Sequence, residues 1–467
     1  MPKFSPLWLF LPLTALFVWQ NQNSPFFWDT VQLGSKHAHF FYENGLRWAP
    51  LPPDIDSGHP PLFGWLLAAA WTLFGKTLPV GHWLMFPFLA GNVVLLWRIG
   101  LRLGGNEWAA WLLPLALLDP VLAGQSALVS PDIALTFFFL LSVSGLLYGR
   151  RWWVAAGVFG LCCISMRGMM TAGALFVFGS YLVWSRMQRD NRFATVRYFF
   201  QSTLPFLPGF LFAAWFLWWH QKNTGWTGFH PASPWAAAFQ PVDLKGILRN
   251  AAILGWRWTD LGRFAEWLFL LILISQRRTF WRSKMFWLWV ILTLGLSFSA
   301  LIYHNLSAHR YFLPAYLALH LFVSQQLAQL NWSLFFKKAA FALIVICLAT
   351  GNLWIYPRGI SMDWDATLAH LPYHRLRAEM VDYLDAQHIP FSAVGSAFPN
   401  LNTGENLLLN GDQRRFTALD LTQNQYVLAS NVFNDIDEEE YAVLERDWQL
   451  VRHTRQAGVW MALYRKR

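Results

Sequence analysis

Of the 467 residues, 55% are hydrophobic and only 13% charged, with 40 Phe and 29 Trp, whereas soluble globular chains carry about 25% charged residues. This composition excludes an ordinary water-soluble enzyme, a disordered chain and a disulfide-stapled secreted module. The formal charge of +10 is unevenly spread: residues 1–362 hold 26 Lys and Arg against 11 acids, residues 363–467 hold 10 against 15, which implies a basic membrane part and a mildly acidic water-exposed unit and not a nucleic-acid binder.

A helix needs about 17–25 apolar residues to cross the hydrocarbon core. With their flanks, eleven stretches serve: Leu7–Gln20, Val80–Trp97, Trp108–Gly124, Ile133–Tyr148, Trp152–Met166, Met169–Trp184, Leu204–Trp219, Phe264–Ser275, Phe286–Tyr303, Tyr311–Ser324 and Ala339–Tyr356. The first follows a single Lys and lacks a small-residue cleavage site, so it reads as a retained anchor. A twelfth run, Leu62–Gly75, is short for a span. Lys and Arg collect in short cytoplasmic loops. If this run lies in the interface, the clusters Arg98/Arg102, Arg150/Arg151, Arg186/Arg189/Arg192/Arg197, Arg277/Arg278/Arg282/Lys284 and Lys337/Lys338 all fall on one side. The expectation is therefore a cytoplasmic N-terminus in an inner (plasma) membrane. Two long outer loops, 21–80 and 221–263, carry amphipathic pieces at His37–Asn44 and Asp243–Arg249.

Residues 363–467 alternate helix-like stretches (His374–Gln387, Asp437–Arg446) with strand-like ones (Phe391–Val394, Tyr426–Ser430, Val459–Tyr464). That pattern describes a small outer α/β domain. Cys162, Cys163 and Cys347 sit in apolar runs and read as small hydrophobes. No internal repeat is apparent, which argues against a transporter or flippase built from inverted repeats.

Ionisable groups near a bilayer are costly, so each acid in residues 1–362 needs a reason. Asp29 (in Pro25-Phe-Phe-Trp-Asp29), Asp54 and Asp56 (around Asp54-Ile-Asp56-Ser-Gly-His59-Pro-Pro-Leu62), Asp119 and Asp132 all face the outer side in this topology. Arg167 splits a long apolar run at an outer turn; it either snorkels at a helix end or grips an anion through bidentate hydrogen bonds. His59-Pro60-Pro61 opens the interfacial helix, where free N–H groups favour an anion. Most of the Trp residues suit interfacial anchoring, with Trp226 and Trp256 able to stack on sugar or line a lipid groove. His230, His304 and His309 suit an ordinary surface role.

The order Asp29, His59-Pro-Pro-Leu62, Asp119 and, thirteen positions on, Pro131-Asp132-Ile-Ala-Leu-Thr-Phe-Phe resembles the GT-C fold glycosyltransferases that use lipid-linked sugars. It is most similar to the protein O-mannosyltransferase and lipid A aminoarabinose transferase branch. Arg310-Tyr-Phe-Leu-Pro314 is similar to a weaker motif before a late span. The resemblance implies an all-α polytopic membrane protein with a small C-terminal α/β domain. It also implies a one-step inverting transfer of sugar from a polyprenyl phosphate to a hydroxyl of a lipid, glycan or protein, with a ligase of whole glycans as the enzymatic alternative. In that reading Asp29 is the base, His59, Arg167 and Arg310 hold the donor phosphate, and Asp56, Asp119 and Asp132 are supporting acids. Some relatives carry a Glu-Lys pair, with the Glu in a metal site, where this chain has Gly58-His59, so that site does not carry over intact. Asp56 with His230 is the substitute pair for a divalent metal ion, and the cofactor itself stays open.

Overall fold

The computed structural model describes residues 5–187, 202–228, 230, 236–276, 279–304 and 307–467. Of the expected basic clusters, the Arg186 side chain, Arg189, Arg192, Arg197, Arg277 and Arg278 lie outside them.

Numbered among the described residues, the helices of the first part are α1 (Leu7–Asn21), α2 (His37–Glu43), α3 (Leu62–Phe74), α4 (Leu78–Gly104), α5 (Asn106–Leu117), α6 (Pro120–Ser126), α7 (Pro131–Tyr148), α8 (Arg151–Ile164), α9 (Met166–Met187), α10 (Leu207–Thr224), α11 (Leu244–Thr259), α12 (Phe264–Gln276), α13 (Lys284–Ile302), α14 (Leu313–Gln329) and α15 (Leu334–Gly351). Each of the eleven expected spans contains a helix, although Ala339–Tyr356 is helical only as far as Gly351. By length and composition α4, α7, α9, α13 and α15 can each cross a membrane; α1, α8 and α12 are apolar but shorter. Exposed apolar rows on α1 (Trp8, Leu9, Leu13) and α15 (Phe335, Leu343, Ile346) present the surface that lipid covers in a multi-pass membrane protein.

One expected span, Trp108–Gly124, is broken. The axes of α5 and α6 differ by 67°, and Asp119 sits at the break with ψ 125°, its Oδ1 accepting from the N–H groups of Val121 and Leu122. Proline lacks an amide N–H and pushes the preceding residue out of the helical region, so Pro120 ends α5 and starts α6. A similar break at Ser165, extended at φ −165°, sets Arg167 on the first turn of α9. Helix α3 has 13 residues, and Lys76 just beyond it pairs with Glu405 of the C-terminal unit. The C-terminal end of α3 therefore lies on the side of the bundle that this unit occupies.

The C-terminal unit packs α16 (Leu371–Ala386), α17 (Gly404–Leu408) and α18 (Glu438–Asp447) with five strands: β1 (Val394–Ser396), β2 (Thr417–Ala418), β3 (Tyr426–Ser430), β4 (Trp448–Gln456) and β5 (Val459–Lys466). The sheet order is β2-β1-β3-β5-β4; β1 runs parallel to β2 and β3, and β5 antiparallel to β3 and β4. Strand β4 is absent from the sequence reading because its run Gln449-Leu-Val-Arg-His-Thr-Arg-Gln456 is mostly polar and exposed. It is tied to β5 through a two-residue turn at Ala457-Gly458, both at positive φ. The unit has its own apolar core, built from residues such as Met380, Val427, Leu444 and Leu463, into which Phe27 and Leu128 of the membrane part also reach.

Candidate functional site

Between Pro25 and α2 the chain turns sharply. Trp28 takes φ 55°, a left-handed conformation that costs a bulky residue strain. Tertiary contacts hold it there: Phe27 stacks on His370 at 4.9 Å and Trp28 packs edge-on against Phe398 at 4.8 Å. The Thr30 hydroxyl accepts from the Phe27 N–H and donates to the Phe27 carbonyl. Asp29, the next residue after the turn, is thereby aimed at the bundle by contacts with the C-terminal unit.

There it meets Arg310, in the single 3-10 turn His309–Phe312 that precedes α14. The Arg310 Nη2 donates to Asp29 Oδ2, Nη1 to Asp132 Oδ2 at 3.4 Å, and Nε lies 3.2 Å from Asp365 Oδ2. Asp132, on the first turn of α7 behind the Ser130 cap, also pairs with Arg167 at 2.9 Å. Both guanidinium groups lie near the Tyr311 ring, at 4.5 Å for Arg167 and 5.1 Å for Arg310. Asp29, His59, Arg167, Arg310 and Tyr311 line one cavity of ≈180 Å³ whose remaining wall is largely apolar, with Leu33, Met166, Met170 and Leu296. A cavity with an apolar wall and two cations at its end suits a ligand that joins a hydrocarbon chain to an anion.

His59 lines the same cavity as a neutral group. Burial, then the nearby Arg167, His37 and Arg310, lower its imidazole to about 3, so it is neutral at physiological pH. Its Nδ1 accepts from the Met166 N–H at 3.4 Å, which leaves the proton on Nε2. It can donate a hydrogen bond but supplies no charge.

None of the three supporting acids lines the cavity: Asp132 stands behind its two arginines, and Asp119 and Asp56 are paired elsewhere. Asp119 is sealed inside the bundle: Arg263 grips it through two bonds of 2.9 and 3.0 Å, and His320 bridges it to Glu266. Asp56 is not paired with His230. Its Oδ2 pairs with His220 Nε2 at 2.9 Å, its Oδ1 accepts from the Gly58 N–H, and His220 Nδ1 faces the Trp226 carbonyl at 2.9 Å. His230 packs its ring against Trp226. Trp226 itself is buried over His220, while Trp256 lies against Tyr356. Among the described residues no group of three or more His, Cys, Asp or Glu side chains is arranged to hold a metal ion. The donor set therefore does not fit a divalent ion: His220 gives its ring nitrogens to hydrogen bonds with a carboxylate and a carbonyl.

Asp365 was hidden within the acidic tail. It lies in a 3-10 turn, Trp364–Ala366, against α6, where Gln125 Nε2 donates to its carbonyl at 2.8 Å. The approach is close because residue 124 is glycine: a Cβ there would stand 2.6 Å from the Thr367 nitrogen. Burial pushes the Asp365 carboxyl up to about 7; Arg310 opposes this, while Asp29, Asp363 and Asp132 add to it. His309, expected at the surface, is buried between Asp260 at 3.2 Å and Asp363 at 2.7 Å. The signal for both was the acid pair Asp363-Trp-Asp365 directly after the last span.

No family model and no curated relative matches the chain. Among solved structures, it is similar to ArnT from Cupriavidus metallidurans bound to undecaprenyl phosphate, with a TM-score of 0.54, 11% identity and 97% of each chain covered. It is similar also to the apo state of the same protein, at 0.51, 11% and 97%. The chain has the GT-C fold of ArnT, as the sequence resemblance implied.

Proposed function

We propose that this protein is a membrane glycosyltransferase that moves a sugar from a polyprenyl-phosphate donor to a hydroxyl acceptor, with inversion. The observation that carries the reading is the convergence of Asp29, Arg167 and Arg310 on one largely apolar cavity. The fold neighbour bound to undecaprenyl phosphate supports the same donor class. The lipid tail occupies the bilayer while its phosphate reaches the two guanidinium groups, which it shares with Asp132 and Asp365. Binding of the phosphate draws Arg310 from Asp29 and leaves that carboxylate as the acceptor for a proton. The acceptor oxygen attacks the anomeric carbon and passes its proton to Asp29. The bond from that carbon to the phosphate oxygen breaks in the same step. The polyprenyl phosphate leaves with two negative charges, which Arg167 and Arg310 stabilise. One displacement inverts the anomeric configuration. Asp132 holds both arginines in place, and His59 donates a neutral hydrogen bond through Nε2.

In this reading residues 1–362 form the catalytic membrane domain and 363–467 an extracytoplasmic domain, with the N-terminus in the cytoplasm. The test is reconstitution of the purified protein with a panel of radiolabelled polyprenyl-phosphate sugars and membrane acceptors. Label should pass to a lipid, glycan or protein fraction with the wild type and not with Asp29→Asn. Equal turnover by a folded Asp29→Asn variant removes Asp29 from the role of base.

A further inference from the structure

A second and larger cavity, ≈540 Å³, lies between the ends of α4, α7, α9 and α14 and the start of α13. Four of these helices also serve the candidate site, so their geometry fixes the separation. Asp132 and Leu146 on α7, Arg167 and Leu182 on α9, Ser299 and Ser283 on and before α13, and Arg310 and Gln325 before and on α14 pair one end with the other. Each pair is 14–16 residues apart, about 21–24 Å along a helix. The second cavity is therefore at the opposite end of the bundle, and the site already described does not account for it.

Its chemistry is that of an anion receptor. Arg102, Arg282 and Lys284 line it, and no Asp or Glu stands among the described lining residues. The N-terminus of the 19-residue α13 opens at the same place, where unpaired backbone N–H groups and the helix dipole favour negative charge. Ser283 caps that end, accepting from the Met285 N–H and donating to Gln325 Oε1 at 2.5 Å, which fixes α13 against α14. The rest of the wall includes four leucines from the spanning helices α4, α7 and α9. A soluble anion has no use for that apolar side, whereas a lipid presents a phosphate and a hydrocarbon chain together.

We propose that this cavity binds the phosphate group of an anionic membrane lipid at the bilayer surface opposite the candidate transfer site. The experiment is native mass spectrometry of the purified full chain after incubation with phosphatidylglycerol, phosphatidylcholine or inorganic phosphate. The wild type should retain phosphatidylglycerol at least tenfold better than phosphatidylcholine. Arg102→Gln with Arg282→Gln should abolish that preference. Both side chains are exposed, so their loss removes no buried partner, and the double Lys variant at these positions should restore retention. Arg150→Gln, an exposed base at the same end outside the cavity, should change nothing. Undiminished retention by the double Gln variant, an equal loss in Arg150→Gln, or failure of the Lys variant to restore binding would overturn the proposal. Displacement of the lipid by inorganic phosphate at equal concentration would also overturn it, in favour of a free anion.

Discussion

Two clusters of buried charge sit at the same end of this bundle, and they are built from the same parts. In one, Asp119 and Glu266 are held by Arg263 and His320, with the Arg263 guanidinium 3.8 Å from the Tyr316 ring. In the other, Asp29, Asp132 and Asp365 surround Arg167 and Arg310 beside Tyr311. The first is closed on every side: all four ionisable side chains are 0% exposed, and each His320 nitrogen faces a carboxylate. The second borders a cavity that Asp29, Arg167 and Arg310 line. Charge burial alone therefore marks no site. Charge that faces an open space does.

The sharpest way to break this comparison is to remove one charge from each cluster. Asp29→Asn should lower kcat by about 10²–10⁴-fold, the range for loss of a general base, with an unchanged melting temperature. The sealed cluster should respond in stability. Arg263→Met leaves Asp119 buried without its arginine, which costs about 3–5 kcal/mol, read as a fall in thermal stability in detergent. The fraction that stays folded should turn over at the wild-type rate. A catalytic loss in that fraction would make the sealed cluster part of the machinery.

Most of the bundle was legible because a span announces itself by length and apolarity, and the breaks at Pro120 and Ser165 obey local rules. Asp29 and Arg167 were legible because charges so placed in an apolar part need a purpose, and Arg310 only through the resemblance of Arg310-Tyr-Phe-Leu-Pro314 to a family motif. What could not be read was partnership. Asp119 and Asp132 look alike in sequence, yet the 67° bend between α5 and α6 turns Asp119 toward Arg263, 144 positions away. Likewise Asp56 chose His220 over His230 because α10 extends to Thr224 and carries His220 inward. Asp365 was missed since an acid in a net-negative segment appears solvated; its burial arises only when the tail docks on α6.

A smaller effect sharpens the comparison through pH. The Asp365 carboxyl, raised to about 7, is protonated in the folded state between its unfolded value near 4 and about 7. The stability tied to that proton is complete below about pH 4 and is lost as pH rises through 7. Ionised Asp365 also competes with phosphate for Arg310. The KM for donor should therefore rise between pH 6 and 8 in the wild type, and Asp365→Asn should flatten this rise. A profile unaltered by the substitution would show that Asp365 and Arg310 are not coupled.

The weakest effect concerns the joint between the two regions. Glu405 of α17 accepts from Lys76 and from His39 Nε2 at 2.9 Å, and its other oxygen accepts from the Gly411 N–H. Burial alone would raise this carboxyl; the bonds from Lys76, His39 and Gly411 outweigh it and lower it to about 2. The stability so gained is present above the unfolded value near 4.3 and is lost as pH falls toward 2. Lys76 is partly exposed, so screening limits the pair, and Glu405→Gln should cost about 1 kcal/mol at neutral pH and nothing near pH 2. The same joint holds α2 and the end of α3 against the unit that places Phe27 and Trp28 before Asp29. Thermal melts of the variant at pH 7 and pH 3 measure the cost; a deficit that persists undiminished at low pH would assign it to packing instead of to the carboxylate.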